Sequence, residues 1–176
     1  MSKKYKFHNP SGLYFVSFTV QNWVDVFTRH EYKEILVESL AYSQKHKGLE
    51  LFAWCIMTNH VHLIIRAQDG FLLQDILRDL KTFTSKSVVK AIQENIQESR
   101  KEWLLSMLKT DDGYSFWHAG NRPIELWSNA VVSQKLNYLH QNPVNDGVVF
   151  QADQYVYSST IDYAGGKGLL DVIIIE

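Results

Sequence analysis

Two histidines one residue apart, His60 and His62, stand in the run Asn59-His-Val-His-Leu-Ile-Ile65. In an extended chain successive side chains alternate, so both imidazoles face one way while Val61, Leu63 and Ile65 face the other. Imidazoles at neighbouring same-face positions can ligate one divalent ion, with the apolar residues between them anchoring the strand in a core. A bare His-x-His equally describes two polar residues on an exposed sheet face. Further along, Tyr138 and Asn142 are four residues apart and share a face if that segment is helical. Asn142 brings an amide oxygen usable as a neutral third ligand, and Tyr138 brings a phenol, which becomes a good nucleophile once deprotonated. Read blandly, Tyr138 is a half-buried packing residue with its hydroxyl in water and Asn142 a helix-terminating cap.

The elements that would position these residues can be read from spacing. Residues 13 to 21 are rich in aromatic and β-branched types behind the Pro10-Ser-Gly12 turn signal and predict a first strand. From about Arg29 to Lys47, residues Tyr32, Ile35, Leu36, Leu40 and Ala41 recur at helical spacing, with Thr28 as a cap and Gly48 just past the end. Residues 49 to 57 form a nearly continuous apolar run and 59 to 66 alternate, which predicts two strands joined by a tight turn near Thr58-Asn59. A second helix after Gly70 carries Leu73, Ile76, Leu77, Leu80 and Phe83 on one face and reaches about Gln93. The charged stretch that follows, with Trp103, Leu104 and Met107 as its stripe, predicts a helical insertion near 94–112.

Residues 113 to 126 read as a loop with a short strand near Ser115–Trp117 or Ile124–Leu126. From Ser128, residues Val131, Val132, Leu136 and Leu139 mark a helix that stops at Asn142-Pro143, since proline disfavours helical geometry in the residue before it. Tyr138 then lies in its last turns. The final apolar run, Val172 to Ile175, is a candidate extra strand. This order predicts an α+β fold, a ferredoxin-like split βαβ antiparallel sheet with helices mainly on one face and the Tyr138 helix near the other.

With 176 residues, 45% of them apolar, the chain fits a single domain over 1–176. No run approaches the roughly 20 apolar residues of a membrane helix. The first ten residues lack the apolar stretch of a secretory signal, so a cytoplasmic location is expected. Cys55 is the only cysteine, which excludes an internal disulfide and argues against redox chemistry. A net charge of -1 argues against a protein that coats duplex DNA, whose affinity comes largely from Lys and Arg displacing phosphate counterions. Any nucleic-acid surface is local; Lys3, Lys4 and Lys6 form one candidate patch and Arg78, Lys81, Lys86 and Lys90 another, each also readable as a solvated face.

Four blocks carry a resemblance: Tyr14-Phe-Val-Ser-Phe-Thr-Val20, Ala53-Trp-Cys-Ile-Met-Thr-Asn-His-Val-His-Leu-Ile-Ile65, Leu136-Asn-Tyr-Leu-His-Gln-Asn-Pro-Val144 and Tyr157-Ser-Ser159. In them the chain resembles the single-tyrosine HUH transposases, and within that family the REP-associated tyrosine transposases. The resemblance implies Mg²⁺ or Mn²⁺ held by His60, His62 and Asn142, with Tyr138 as the nucleophile. It further implies attack on a phosphodiester of single-stranded, hairpin-associated DNA, leaving a 5′-phosphotyrosine and a free 3′-hydroxyl and needing no ATP. Metal bound to the scissile phosphate would polarise it and stabilise the developing charge.

DNA contacts are expected at Lys81, in a segment that resembles one facing DNA in the family, and at Arg78 and Arg122. Trp117 and Tyr114 are candidate base-stacking residues, and His118 and His140 are further cleft candidates, though each is also readable as packing or surface. The insertion near 94–112 is longer than compact members need, and the net charge is less basic than a DNA enzyme suggests. Relatives work either as homodimers, some with the tyrosine helix serving the partner's metal site, or as monomers. Two rivals are a catalytically silent DNA-binding regulator of the same fold and a cupin-like metal enzyme. The second requires many short, regularly spaced strands, which the helical patterns here oppose.

Overall fold

Strand β1 (Tyr14–Thr19), helix α1 (His30–His46), strands β2 (Leu49–Ile56) and β3 (His60–Ala67) and helix α2 (Leu73–Glu94) follow one another in the predicted order. They are seen in a computed structural model that describes residues 7–176, so the Lys3, Lys4 and Lys6 patch lies outside the described residues. Helix α3 (Lys101–Leu108), a hairpin of β4 (Lys109–Thr110) and β5 (Gly113–Tyr114), the edge strand β6 (Ile124–Glu125), helix α4 (Asn129–Asn145) and the one-turn α5 (Thr160–Tyr163) complete the chain. The main sheet has the order β2-β3-β1-β6 with every neighbour antiparallel.

Helices α1 and α2 pack on each other and on β2 and β3, while α4 also packs on β2 and β3. The two layers are told apart by β1: Phe18 meets Lys81 of α2, whereas Phe15 meets Tyr138 of α4. Because β2 is covered on both faces, it is buried almost throughout and reads as a continuous apolar run instead of an alternation. Gly48 closes α1 at φ 70°, and a Cβ there would strike the Phe71 ring, so its bare backbone serves both the turn and the packing. Among the described residues no helix is long and apolar enough to cross a membrane.

Four local expectations need correction. Thr28 is not the cap of α1; Arg29 holds that position without a side-chain bond, and the Thr28 hydroxyl accepts from Arg100 Nη2. Phe83 is 61% exposed, because the buried face of α2 passes through Thr84, whose hydroxyl donates to the Leu80 carbonyl and accepts from Trp117 Nε1. Helix α4 runs through Pro143 to Asn145: proline removes one N–H in the last turn, while burial of Leu139, His140, Asn142 and Pro143 holds that turn in place. The end of α4 is closed by Asp146 N–H to Asn142 and Val148 N–H to Pro143. Residues 172–175 form no strand; Ile173 N–H donates once to the Leu51 carbonyl beside the sheet.

The link from α2 to α3 is fixed by a buried charge. Glu98, 4% exposed, accepts from Arg29 Nε at 2.7 Å, from Arg100 Nε at 3.3 Å and from the Arg100 backbone N–H at 3.1 Å. Desolvation pushes its pKa up, but the bonds from Arg100 and Arg29 outweigh it and leave the carboxyl below its ordinary value. Glu98→Gln is therefore expected to cost about 2 kcal/mol at neutral pH, the usual worth of hydrogen bonds to a charged group. A depressed carboxyl favours the fold above its unfolded pKa, so the difference between wild type and variant should be full near pH 7 and vanish as pH falls through the depressed value. Urea melts of both proteins across that range check it; a pH-independent difference would assign the cost to packing.

Candidate active site

The antiparallel register places Ser17 opposite His62 and Thr19 opposite His60. Phe15, Ser17, Thr19, His60 and His62 thus share the sheet face that α4 covers. His62 is 5% exposed and His60 half-buried, with ring centroids 4.7 Å apart. His62 stacks on Phe15 at 5.2 Å, and the Tyr138 ring stands edge-on at 5.3 Å from His62 and 6.0 Å from Phe15. One turn beyond Tyr138 on α4, Asn142 is buried with its side chain against His60. Ser128 caps α4 by accepting the Val131 N–H, which fixes where the helix begins and so which of its residues face the sheet.

Burial lowers the pKa of His62 to about 3, assisted by His60 and Lys135; burial also lowers that of His60, with Asp146, Asn142 and Asp25 acting against it. Both rings are therefore neutral at pH 7, the form that ligates metal. His62 Nε2 is buried and has no hydrogen-bond partner among the described residues. Among them no cluster of three His, Cys, Asp or Glu side chains comes together, so the groups here that could hold an ion are two imidazoles and an amide. This set fits a divalent ion: the unpartnered nitrogen has a lone pair free to ligate, and neutral donors would leave an ion its full charge.

Tyr138 is 48% exposed. Lys135 lies one turn before it, with Nζ 5.1 Å from the Phe15 ring and 5.6 Å from the Tyr138 ring. Sequence reasoning overlooked Lys135, although its i, i+3 spacing from Tyr138 was visible. It also overlooked Phe15 and Ser17, which only the β1–β3 register identifies.

The other predicted residues are scattered. Lys81 Nζ donates to the carbonyls of His118 and Gly120 and to Asn121 Oδ1, tying the segment after Trp117 to α2, and burial lowers its pKa to about 8. Arg78 is paired with Asp75 and Asp79 on the exposed side of α2. Arg122 is exposed, at φ 44°, and with His118, Gly120, Trp23 and Thr19 borders a small notch beside Ser17. Trp117 is core, packed among Phe18, Phe27 and Phe116, and unavailable to stack on bases, whereas Tyr114 is 42% exposed on β5. His140 is buried, its Nε2 bonded to Ser159 Oγ, and so is a packing residue away from the cleft.

The fold is similar to that of the REP-associated tyrosine transposase bound to a REP hairpin, with a TM-score of 0.70 at 17% identity over 98% of this chain and 92% of that chain. A weaker likeness, TM-score 0.48 at 20% identity, links 78% of this chain to 95% of a putative transposase from Deinococcus radiodurans R1. No curated protein sequence matches. The profile of the family described as "Transposase IS200 like" matches residues 12–134, which include both histidines of β3 and end four residues before Tyr138. That span is well over half of the sequence, and the chain belongs to the IS200-like transposase family.

Proposed function

We propose that the chain nicks and rejoins single-stranded, hairpin-associated DNA, with Tyr138 as nucleophile and His60, His62 and Asn142 as the metal site. The observation that carries this reading is the Tyr138 ring edge-on to His62 at 5.3 Å, on the one sheet face where a buried imidazole nitrogen lacks a partner. The hairpin bound by the structurally similar transposase supports the choice of substrate.

A divalent ion, Mg²⁺ or Mn²⁺, would polarise the scissile phosphate and draw off charge as the new bond forms. Tyr138 Oη attacks the phosphorus and gives its proton to solvent, while the bond to the 3′ oxygen breaks and that oxygen takes up a proton. The products are a 5′-phosphotyrosine and a free 3′-hydroxyl. Since the phosphodiester is exchanged and not hydrolysed, a 3′-hydroxyl can attack the phosphotyrosine and restore the strand without ATP. Lys135, beside Tyr138, attracts the phosphate toward the nucleophile, and Arg122, exposed at the rim of the notch, contacts the strand. Lys81 serves the strand indirectly, by ordering the segment that carries Arg122.

The test is incubation with labelled single-stranded hairpin DNA taken from the flanks of the encoding gene, with Mn²⁺ or Mg²⁺, followed by a denaturing gel. A covalent protein–DNA band that EDTA prevents is expected. Hairpin binding without a covalent band under either metal would instead make the chain a DNA-binding regulator.

A further inference from the structure

Each histidine of the candidate metal site has a polar partner at Nδ1. The Asn59 side chain is oriented by its amide nitrogen, which donates to Asp25 Oδ1 at 3.0 Å and to the Trp23 carbonyl at 3.4 Å. Both of those groups can only accept, so the amide cannot be turned round without facing oxygen with oxygen. Its Oδ1 is therefore the atom 2.7 Å from His60 Nδ1. An amide oxygen cannot donate, and His60 Nδ1 must carry the proton. Asp25 is itself held by the Thr58 hydroxyl, which donates to the same Oδ1 at 2.7 Å. The turn is pinned at both sides, by Val20 N–H to the Asn59 carbonyl and Phe27 N–H to the Thr58 carbonyl.

On β1 the cross-strand partner of His62 is Ser17, whose Oγ lies 2.8 Å from His62 Nδ1. A hydroxyl can accept or donate, so the other nitrogen decides. Were the proton on Nε2, a buried N–H would face no acceptor, the costlier arrangement for a buried polar group. With the proton on Nδ1 the Ser17 hydroxyl accepts it and the Nε2 lone pair is left free.

We infer that Ser17 and the Asp25–Asn59 pair are positioning residues, holding both imidazoles in the Nδ1-protonated form so that both Nε2 lone pairs are presented to a metal before it arrives. The inference rests on reading the histidine pair as a metal site. Each partner fixes the ring about its Cβ–Cγ bond as well as its tautomer, so a ligand atom does not have to be reoriented on binding.

Long-range ¹H–¹⁵N spectra of histidine-labelled, metal-free protein at neutral pH read the tautomer of each ring directly. Wild type should show protonated Nδ1 and unprotonated Nε2 at both His60 and His62. Ser17→Ala should convert His62, and Asn59→Ala should convert His60, to mixtures of the two forms. In each variant Mn²⁺ affinity, measured by calorimetry, should fall about 10- to 100-fold, and Ser17→Thr, which keeps the hydroxyl, should restore both readouts. Asp25→Asn, which permits the Asn59 amide to turn, should disturb His60 and leave His62 unchanged. Tautomers and Mn²⁺ affinity that survive Ser17→Ala and Asn59→Ala would overturn the inference, as would wild-type rings protonated on Nε2. Wild-type rings protonated on Nδ1 that bind no Mn²⁺ would overturn the metal reading beneath it, and the tautomer readout separates that failure from the other two.

Discussion

Tyr138→Phe should abolish the covalent adduct and lower strand cleavage by at least about 10⁴-fold, the scale on which removal of a nucleophile acts in enzymes that work through a covalent intermediate. The substitution removes one oxygen from a half-exposed side chain and keeps the ring that packs against His62 and Phe15 and lies near Lys135. Stability should therefore change by no more than about 0.5 kcal/mol, and hairpin affinity should hold, which separates loss of chemistry from loss of binding. Tyr138 stands against the His62 of its own chain, the arrangement of a site that works in cis. Mixing Tyr138→Phe with His62→Ala should then leave both inactive; recovery of activity in the mixture would mean that the helix serves a partner's site. Residual cleavage in Tyr138→Phe with an adduct of unchanged mass would move the nucleophile elsewhere.

The parts of the site that sequence made legible are those governed by local periodicity. His60 and His62 share a face because strands alternate, and Tyr138 and Asn142 share one because helices repeat near every four residues. The order of elements followed from hydrophobic patterning, which also started α4 at Ser128; that the Ser128 side chain caps the helix is seen only in the structure. What stayed hidden depends on contacts between segments distant in sequence. Ser17 became part of the site through strand register, and Trp117 was removed from the surface by Phe18, Phe27 and Thr84. Spacing on α2 could not show that three oxygens of residues 118–121 converge on the Lys81 ammonium, which ties that segment to the helix. Propensity lost to packing at Pro143, where a buried turn kept its helical form despite the missing N–H, and that outcome keeps Asn142 on the helix that carries Tyr138.

His62→Ala should have the next largest effect. In the proposed site, with two imidazoles and one amide as donors, removal of either imidazole would delete a large share of the metal's protein ligands. The several kcal/mol that a Lewis acid contributes to phosphoryl transfer corresponds to a loss of about 10³-fold in adduct formation. Asn142→Ala, which removes an oxygen that water can replace, should cost less, about 10-fold to 100-fold, by the same reasoning about ligand strength. His62 is also buried against Phe15, so His62→Ala opens a small cavity and calls for a melting curve alongside the assay. His60→Ala supplies the control: the ring is only half-buried, so a similar loss of Mn²⁺ binding and adduct with an unshifted melting temperature would assign the effect to metal ligation. Full Mn²⁺ affinity in both variants would refute the histidine site, and Tyr138 would then have to act on a phosphate held by Lys135 and Arg122 alone.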